Sequence, residues 1–213
     1  MERATELAAL AATAREALEE KHRARELTIA ASRAAIQACA ASIRATHRGE
    51  LDHAEQLARD AHAHVAEADA AVSGHPDVRT GGPLHDAKKE LAEAWITLAL
   101  VRDDPVPSPG DLAIDAAAWC NGLAEAASEL RRQALDCLRA GRLVRAEQLV
   151  AAMEDVYSLL VTIDYPDGVT GGLRRTTDAL RAVLERTRGD LTTTIVASRL
   201  QAAIEAAREH TER

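Results

Sequence analysis

Lys89-Glu90-Leu91-Ala92-Glu93-Ala94-Trp95 has the apolar spacing of a helix, not the alternation of a strand. Leu84, Ala87, Leu91, Trp95 and Leu98 recur every three or four residues, which predicts one buried stripe. Glu90 and Glu93 lie off that stripe. At the helical repeat they stand about 60° apart, so their carboxylates can aim at one point.

The flanking sequence extends the helical reading in both directions. Residues 74–83 carry three glycines and two prolines and read as a loop, with Pro83 placed for the first turn of a helix reaching about Val101. Leu51 to Val72 reads as a helix. Glu2 to Arg48 contains neither Gly nor Pro and is dominated by Ala, Leu, Glu and Arg. It reads as one very long helix, or two with a bend near His22, stopped by Gly49. Asp103-Asp104-Pro105-Val106-Pro107-Ser108-Pro109-Gly110 is the strongest breaker, too short to link separate domains. Beyond it, helices are predicted over about Asp111–Ala140, closed by Gly141, and Leu143–Ile163, stopped by Tyr165-Pro166-Asp167-Gly168. Two more follow, Thr170–Arg188 ending at Gly189, and Leu191–Glu212. No stretch alternates with period two and no internal repeat is present. The expectation is an all-α chain forming one domain over residues 1–213.

Composition sets bounds. The 213 residues are 47% apolar yet only 2% aromatic, with no Phe, so the core must be built from Ala, Leu, Val and Ile. The net charge of −8 argues against a surface that attracts nucleic acid everywhere, though not against a local basic stripe. Cys39, Cys120 and Cys137 are odd in number and widely spaced. They read as reduced core thiols of a cytoplasmic protein. No apolar run approaches the roughly 20 residues that span a bilayer, and the charged N-terminus lacks signal-peptide character.

A second acidic pair, Glu125 and Glu129, has i,i+4 spacing on the helix after the breaker. Asn121, Ser128, Arg132 and Asp136 share its face, while Leu112, Trp119, Leu123, Leu130 and Cys137 lie opposite. Spacing alone leaves two readings open: an ordinary amphipathic helix, or half of a cation site. Four carboxylates on neighbouring helices suffice to hold a hard divalent cation such as Mg2+. On the first helix Arg33, Gln37, Arg44 and Arg48 form a polar stripe, either a solvated face or a grip on phosphates. Arg174 and Arg175 open the densest basic stretch, which ends at Arg188. It can bind phosphate or acids on another subunit. Few aromatics accompany these arginines, so base stacking would add little affinity. Asp60, His64 and Glu67 share a face, and Glu19/His22 and Glu50/His53 have Glu-x-x-His spacing. Both pairs fall in the first quarter of the chain, whereas a di-iron bundle needs them on separate helices. There is no P-loop, dinucleotide turn, Gly-x-Ser-x-Gly or Cys-x-x-Cys.

Five pieces taken together resemble the translin family, and specifically its translin-associated factor X branch with single-subunit prokaryotic relatives. They are Ser32-Arg33 with His47-Arg48; Glu90-Leu91-Ala92-Glu93-Ala94; Trp119-Cys120-Asn121-Gly122-Leu123-Ala124-Glu125 through Ser128-Glu129-Leu130-Arg131-Arg132; Asp164-Tyr165-Pro166-Asp167; and Leu173-Arg174-Arg175 with Glu185-Arg186-Thr187-Arg188-Gly189-Asp190-Leu191-Thr192. Their order and spacing, over about residues 25–195, carry the resemblance. It implies a seven-helix superhelical bundle that closes into a hollow homo-oligomer, typically an octamer. It implies binding of RNA and single-stranded DNA, and Mg2+-dependent endoribonuclease activity, with Mn2+ as a substitute ion. The catalytic acids fall on Glu90, Glu93 and Glu125, which would hold the metal, with Glu129 beside them. Arg33, Gln37, Arg44, Arg48, Arg132, Arg174 and Arg175 are the candidates for nucleic-acid contact. One position departs: the family usually has Asp where Glu125 stands. The alternative is a non-catalytic RNA- or DNA-binding assembly.

Overall fold

The computed structural model describes residues 2–79 and 82–211. Six long helices and two single turns make up the described chain: α1 Glu2–His47, α2 Leu51–Ala71, α3 Pro76–Arg79, α4 Pro83–Arg102, α5 Ala116–Arg139, α6 Leu143–Leu160, α7 Asp167–Thr170 and α8 Leu173–Thr211. There is no strand among the described residues. Among the described residues no helix is long and apolar enough to cross a membrane.

The order of packing follows the apolar stripes. α1 lies against α2 and α4, α4 against α5, and α5 against α6 and α8. α4 and α5 are therefore the middle of the molecule, and the stripe of α4 is buried at Leu84, Ala87, Leu91 and Leu98, with Trp95 half-buried. The core is largely alanine: Ala35, Ala61, Ala87, Ala92, Ala94, Ala124, Ala126, Ala127, Ala134 and Ala146 all belong to one cluster. Small side chains let helix axes approach closely. At Gly122 of α5 there is no room for a side chain. A Cβ there would stand 2.5 Å from Ala92 Cβ, 2.6 Å from the Lys89 carbonyl oxygen and 2.9 Å from the Glu93 nitrogen.

α1 is one unbroken helix, and Gly49, at φ +78, follows its end as the positive-φ residue that only glycine takes without strain. Its buried residues begin at Ala24, so the first half projects with Leu7, Leu10 and Leu18 exposed. The far end of α8 projects likewise, exposing Val196, Leu200 and Ile204. Asp103, at φ 65, ends α4.

Several boundaries differ from the expectation. The helix expected from Asp111 starts at Ala116. The Asp111 carboxylate instead closes a turn, accepting from the Ser108 amide at 2.8 Å and hydroxyl at 2.6 Å. The Asp115 side chain caps α5 by accepting from the Ala118 amide at 2.9 Å. α6 stops at Leu160, short of Ile163. The single turns α3 and α7 fall inside stretches expected as loop or helix start.

The two last expected helices are one. Gly189 does not end the sixth, because tertiary contacts outweigh the roughly 1 kcal/mol that Gly costs in a helix. Arg131 of α5 donates to the Thr187 hydroxyl at 3.0 Å and pairs with Asp190 at 2.9 Å, spanning Gly189 on both sides. Arg188 adds a pair with Glu154 at 3.1 Å. Residues 80–81 of the expected loop and Glu212 of the last expected helix lie outside the described residues.

Candidate metal and nucleic-acid site

Where α4 crosses α5 at Gly122, three acids meet. Glu90, Glu93 and Glu125 each offer a carboxylate oxygen within 4.8 Å of the others, the one such group of three or more ligands among the described residues. Glu93 is 9% exposed, and Glu90 and Glu125 are half-buried. The extra methylene of Glu125 leaves its carboxylate inside the group. Lys89 stands at the edge, its Nζ 2.9 Å from Glu125 and 3.6 Å from Glu90.

The electrostatics are those of crowded negative charge. Burial, then Glu90, Glu125 and Glu129, push the Glu93 carboxyl up to about 8, against a smaller opposing pull from Lys89. Burial, with Glu125 adding to it and Lys89 opposing, also raises Glu90. For Lys89 burial works against the charged form, but the hydrogen bond and charge of Glu125, with Glu90 and Glu93, more than offset it and raise the ammonium. Cys39, buried on α1, is raised by burial first and by Glu90 and Glu93 next. One lysine beside three carboxyl groups leaves the cluster short of positive charge whenever all three are ionised. A donor set of carboxylate oxygens alone suits a hard divalent cation, so Mg2+ or Mn2+ fits these residues.

Glu129 stands outside the three. Its Oε2 is 2.6 Å from His47 Nε2, at the last residue of α1, and the His47 side chain is 5% exposed. Gln133 ties the same corner together, donating to the Thr46 carbonyl at 3.2 Å. Asn121, one residue before Gly122, is 2% exposed and anchors α5. Its Nδ2 donates to the Thr170 carbonyl at 2.7 Å, and its Oδ1 accepts from the Thr176 hydroxyl at 2.7 Å.

The basic candidates divide. Arg33, Gln37 and Arg44 are exposed along α1, and Arg132 is exposed on α5; none of their side chains has a hydrogen bond or ion pair among the described residues. Arg48 is exposed but already bonded to Glu50, at 2.8 and 2.6 Å. Arg174 pairs loosely with Asp164 at 3.6 Å, and Arg175 is exposed next to it at the start of α8. The histidine faces do not assemble a site: His64 pairs with Glu67 at 3.6 Å, and Glu50 is engaged by Arg48.

Three participants were not singled out from sequence: Lys89, Gly122 as the contact point, and His47 as the partner of Glu129. Gly122 lies in a quoted motif, and its place opposite Ala92 is a matter of packing that spacing does not carry. His47 and Glu129 are 82 residues apart, beyond any local pattern.

No protein-family model matches the chain. An uncharacterised protein of Methanocaldococcus jannaschii is 35% identical over 115 residues, or 54% of this chain and 51% of that protein, so the chain spans about half the length of that relative. AfC3PO in complex with duplex RNA has a TM-score of 0.81 and 32% identity, covering 87% of this chain and 96% of that one. AfC3PO alone gives 0.79 at the same identity and coverage. Apo-NeC3PO gives 0.76 at 16% identity, a likeness of fold only.

Fold and acidic crossing together define an all-α, translin-like protein. At 32% identity over nearly all of AfC3PO, the chain belongs to the translin family.

Proposed function

We propose that this chain is a Mg2+-dependent endoribonuclease working as a homo-oligomer, with Glu90, Glu93 and Glu125 holding the cation and Mn2+ able to replace Mg2+. The observation that carries the reading is the convergence of these three carboxylates within 4.8 Å at the α4–α5 crossing. When bound, the cation supplies a Lewis acid for a phosphodiester and lowers the pKa of a water. The chain's own residues do the rest. Glu93, 9% exposed, has little room to turn away and would hold the ion from the buried side. Glu129, bonded to His47, adds negative potential beside it. Arg33, Gln37, Arg44 and Arg132 are free to take phosphates, with Arg48, Arg174 and Arg175 in competition with their acidic neighbours. RNA is the proposed substrate because AfC3PO, which is similar over nearly its whole length, forms a complex with duplex RNA. Single-stranded DNA is a further ligand of the same chemistry. Self-association is supported by the exposed Leu7, Leu10 and Leu18 of α1 and Val196, Leu200 and Ile204 of α8, and an octamer is the number that the family resemblance implies. Three free thiols suit a reducing cytoplasm.

A second reading, a nucleic-acid-binding assembly without cleavage, is favoured by one observation. Lys89 already bonds Glu125 at 2.9 Å, where a cation would need that oxygen. End-labelled single-stranded and duplex RNA, incubated with Mg2+ and then with EDTA, separates the two. Cleavage that needs Mg2+ and is lost in Glu93→Gln supports the nuclease. Cleavage unaffected by EDTA or by that substitution sinks it, and tight binding without cleavage leaves the second reading standing.

A further inference from the structure

The corner formed by the end of α1 and the middle of α5 holds a feature that packing alone does not account for. His47 is nearly enclosed, with 5% of its side chain exposed. Its Nε2 lies 2.6 Å from Glu129 Oε2, while its Nδ1 is buried without a partner. A carboxylate only accepts, so Nε2 carries the hydrogen and donates, and Nδ1 is left without a partner. Burying an unpartnered ring nitrogen is unfavourable. An apolar side chain of similar volume would fill the same space without that penalty. What the imidazole adds, and a hydrocarbon would not, is the Nε2–H aimed at Glu129.

Glu129 is one helical turn beyond Glu125, on the face that meets α4. Only one of its oxygens is engaged by His47, and the side chain is partly open at 37%. Its charge reaches Glu93, which it helps to raise. Released from His47, a half-open glutamate side chain would move into solvent and its charge would leave the site.

We infer that His47 is a positioning residue, which acts through Glu129 to keep a fourth carboxylate beside the Glu90–Glu93–Glu125 cation site. The inference rests on the proposed cation site. It gives α1 a part in the chemistry of the α4–α5 crossing, since the end of α1 sets where Glu129 stands. Losing a partner bonded directly to a metal ligand typically weakens the site about 10- to 100-fold, and His47 stands one step further out, so the low end of that range applies.

Mn2+ titration of the metal-free full chain, followed by electron paramagnetic resonance, tests this without reference to cleavage. His47→Leu removes the donor at similar volume and is expected to weaken Mn2+ binding about 10-fold. His47→Gln extends an amide donor to the Nε2 position and is expected to restore most of the affinity. In a Glu129→Gln background, His47→Leu is expected to add little, because both changes break one connection. Equal effects of His47→Leu and His47→Gln, or full additivity with Glu129→Gln, overturn the positioning role while leaving the cation site intact. Wild-type protein that binds Mn2+ no better than Glu93→Gln overturns both. Should His47→Leu fail to fold, His47→Asn takes its place in each comparison, since its shorter amide falls short of Glu129.

Discussion

Gly122 and Ala92 are so close that a Cβ on the glycine would overlap the alanine methyl, at 2.5 Å. That contact sets the distance between α4 and α5, and with it the distance from Glu125 to Glu90 and Glu93. The absent side chain is what lets α4 and α5 pack this tightly.

Gly122→Ala is therefore expected to do two things at once. Inserting a methyl where backbone lies within 3 Å forces α4 and α5 apart, costing about 1–3 kcal/mol of stability in urea unfolding. The higher helix propensity of Ala recovers less than this. The same displacement spreads the three acids, so Mn2+ binding should weaken in parallel. Unchanged stability with unchanged Mn2+ affinity would show that the crossing does not define the site.

Gly189 supplies the opposite case. It lies inside α8, and a Cβ there would meet nothing within 4 Å. Gly189→Ala is expected to stabilise the protein by about 0.5–1 kcal/mol, by removing conformational freedom from the unfolded chain. Arg131→Ala is expected to destabilise it, because the Thr187 hydroxyl and Asp190 carboxylate lose the group that spans Gly189. Amide hydrogen exchange should then rise beyond residue 189 and not before it.

These two glycines mark how far the sequence could be read. The absence of Gly and Pro from Glu2 to Arg48 made α1 legible, since nothing local opposes a helix. The Glu90-x-x-Glu93 pair was legible too, because three-residue spacing on a helix is a local fact. Glu125 could be placed near them only by setting the second acidic pair against the first and by the resemblance of the flanking motif. Gly189 misled because its helix is held by Arg131, far off in sequence. Asp111 misled because the Ser108 turn captures its carboxylate before a helix can begin. His47 could not be seen as a partner of Glu129 at all. Contacts between distant segments decided Gly189 and His47, and a three-residue turn decided Asp111.

The raised Glu93 carboxyl makes stability depend on pH in a defined sense. Its ordinary value is 4.5 and its value in the fold is about 8, so between these the folded state holds a proton that the unfolded state has lost. Unfolding then releases a proton, and stability falls as pH rises through the window from about 4.5 to about 8. One proton corresponds to a slope of at most about 1.4 kcal/mol per pH unit, or roughly 3 °C in Tm. Melting curves in EDTA should show this fall for the wild type and a flatter profile for Glu93→Gln. Identical profiles would mean that Glu93 ionises freely in the fold.

Arg33 and Arg44 test the nucleic-acid reading by charge counting. Both are exposed and unpaired among the described residues, so each is free to displace a counterion from a phosphate. Replacing either by Ala should weaken RNA binding and reduce the slope of log affinity against log salt by about 1. Arg48→Ala should change it less, because that guanidinium is already neutralised by Glu50 at 2.6 Å. The contrast matters more than the size of any one effect. A general loss of positive charge on an acidic protein would make the three variants alike, whereas a defined contact surface separates the free arginines from the paired one. Equal slopes for Arg44→Ala and Arg48→Ala would remove the α1 stripe from the interface and leave Arg132, Arg174 and Arg175 as the groups to test.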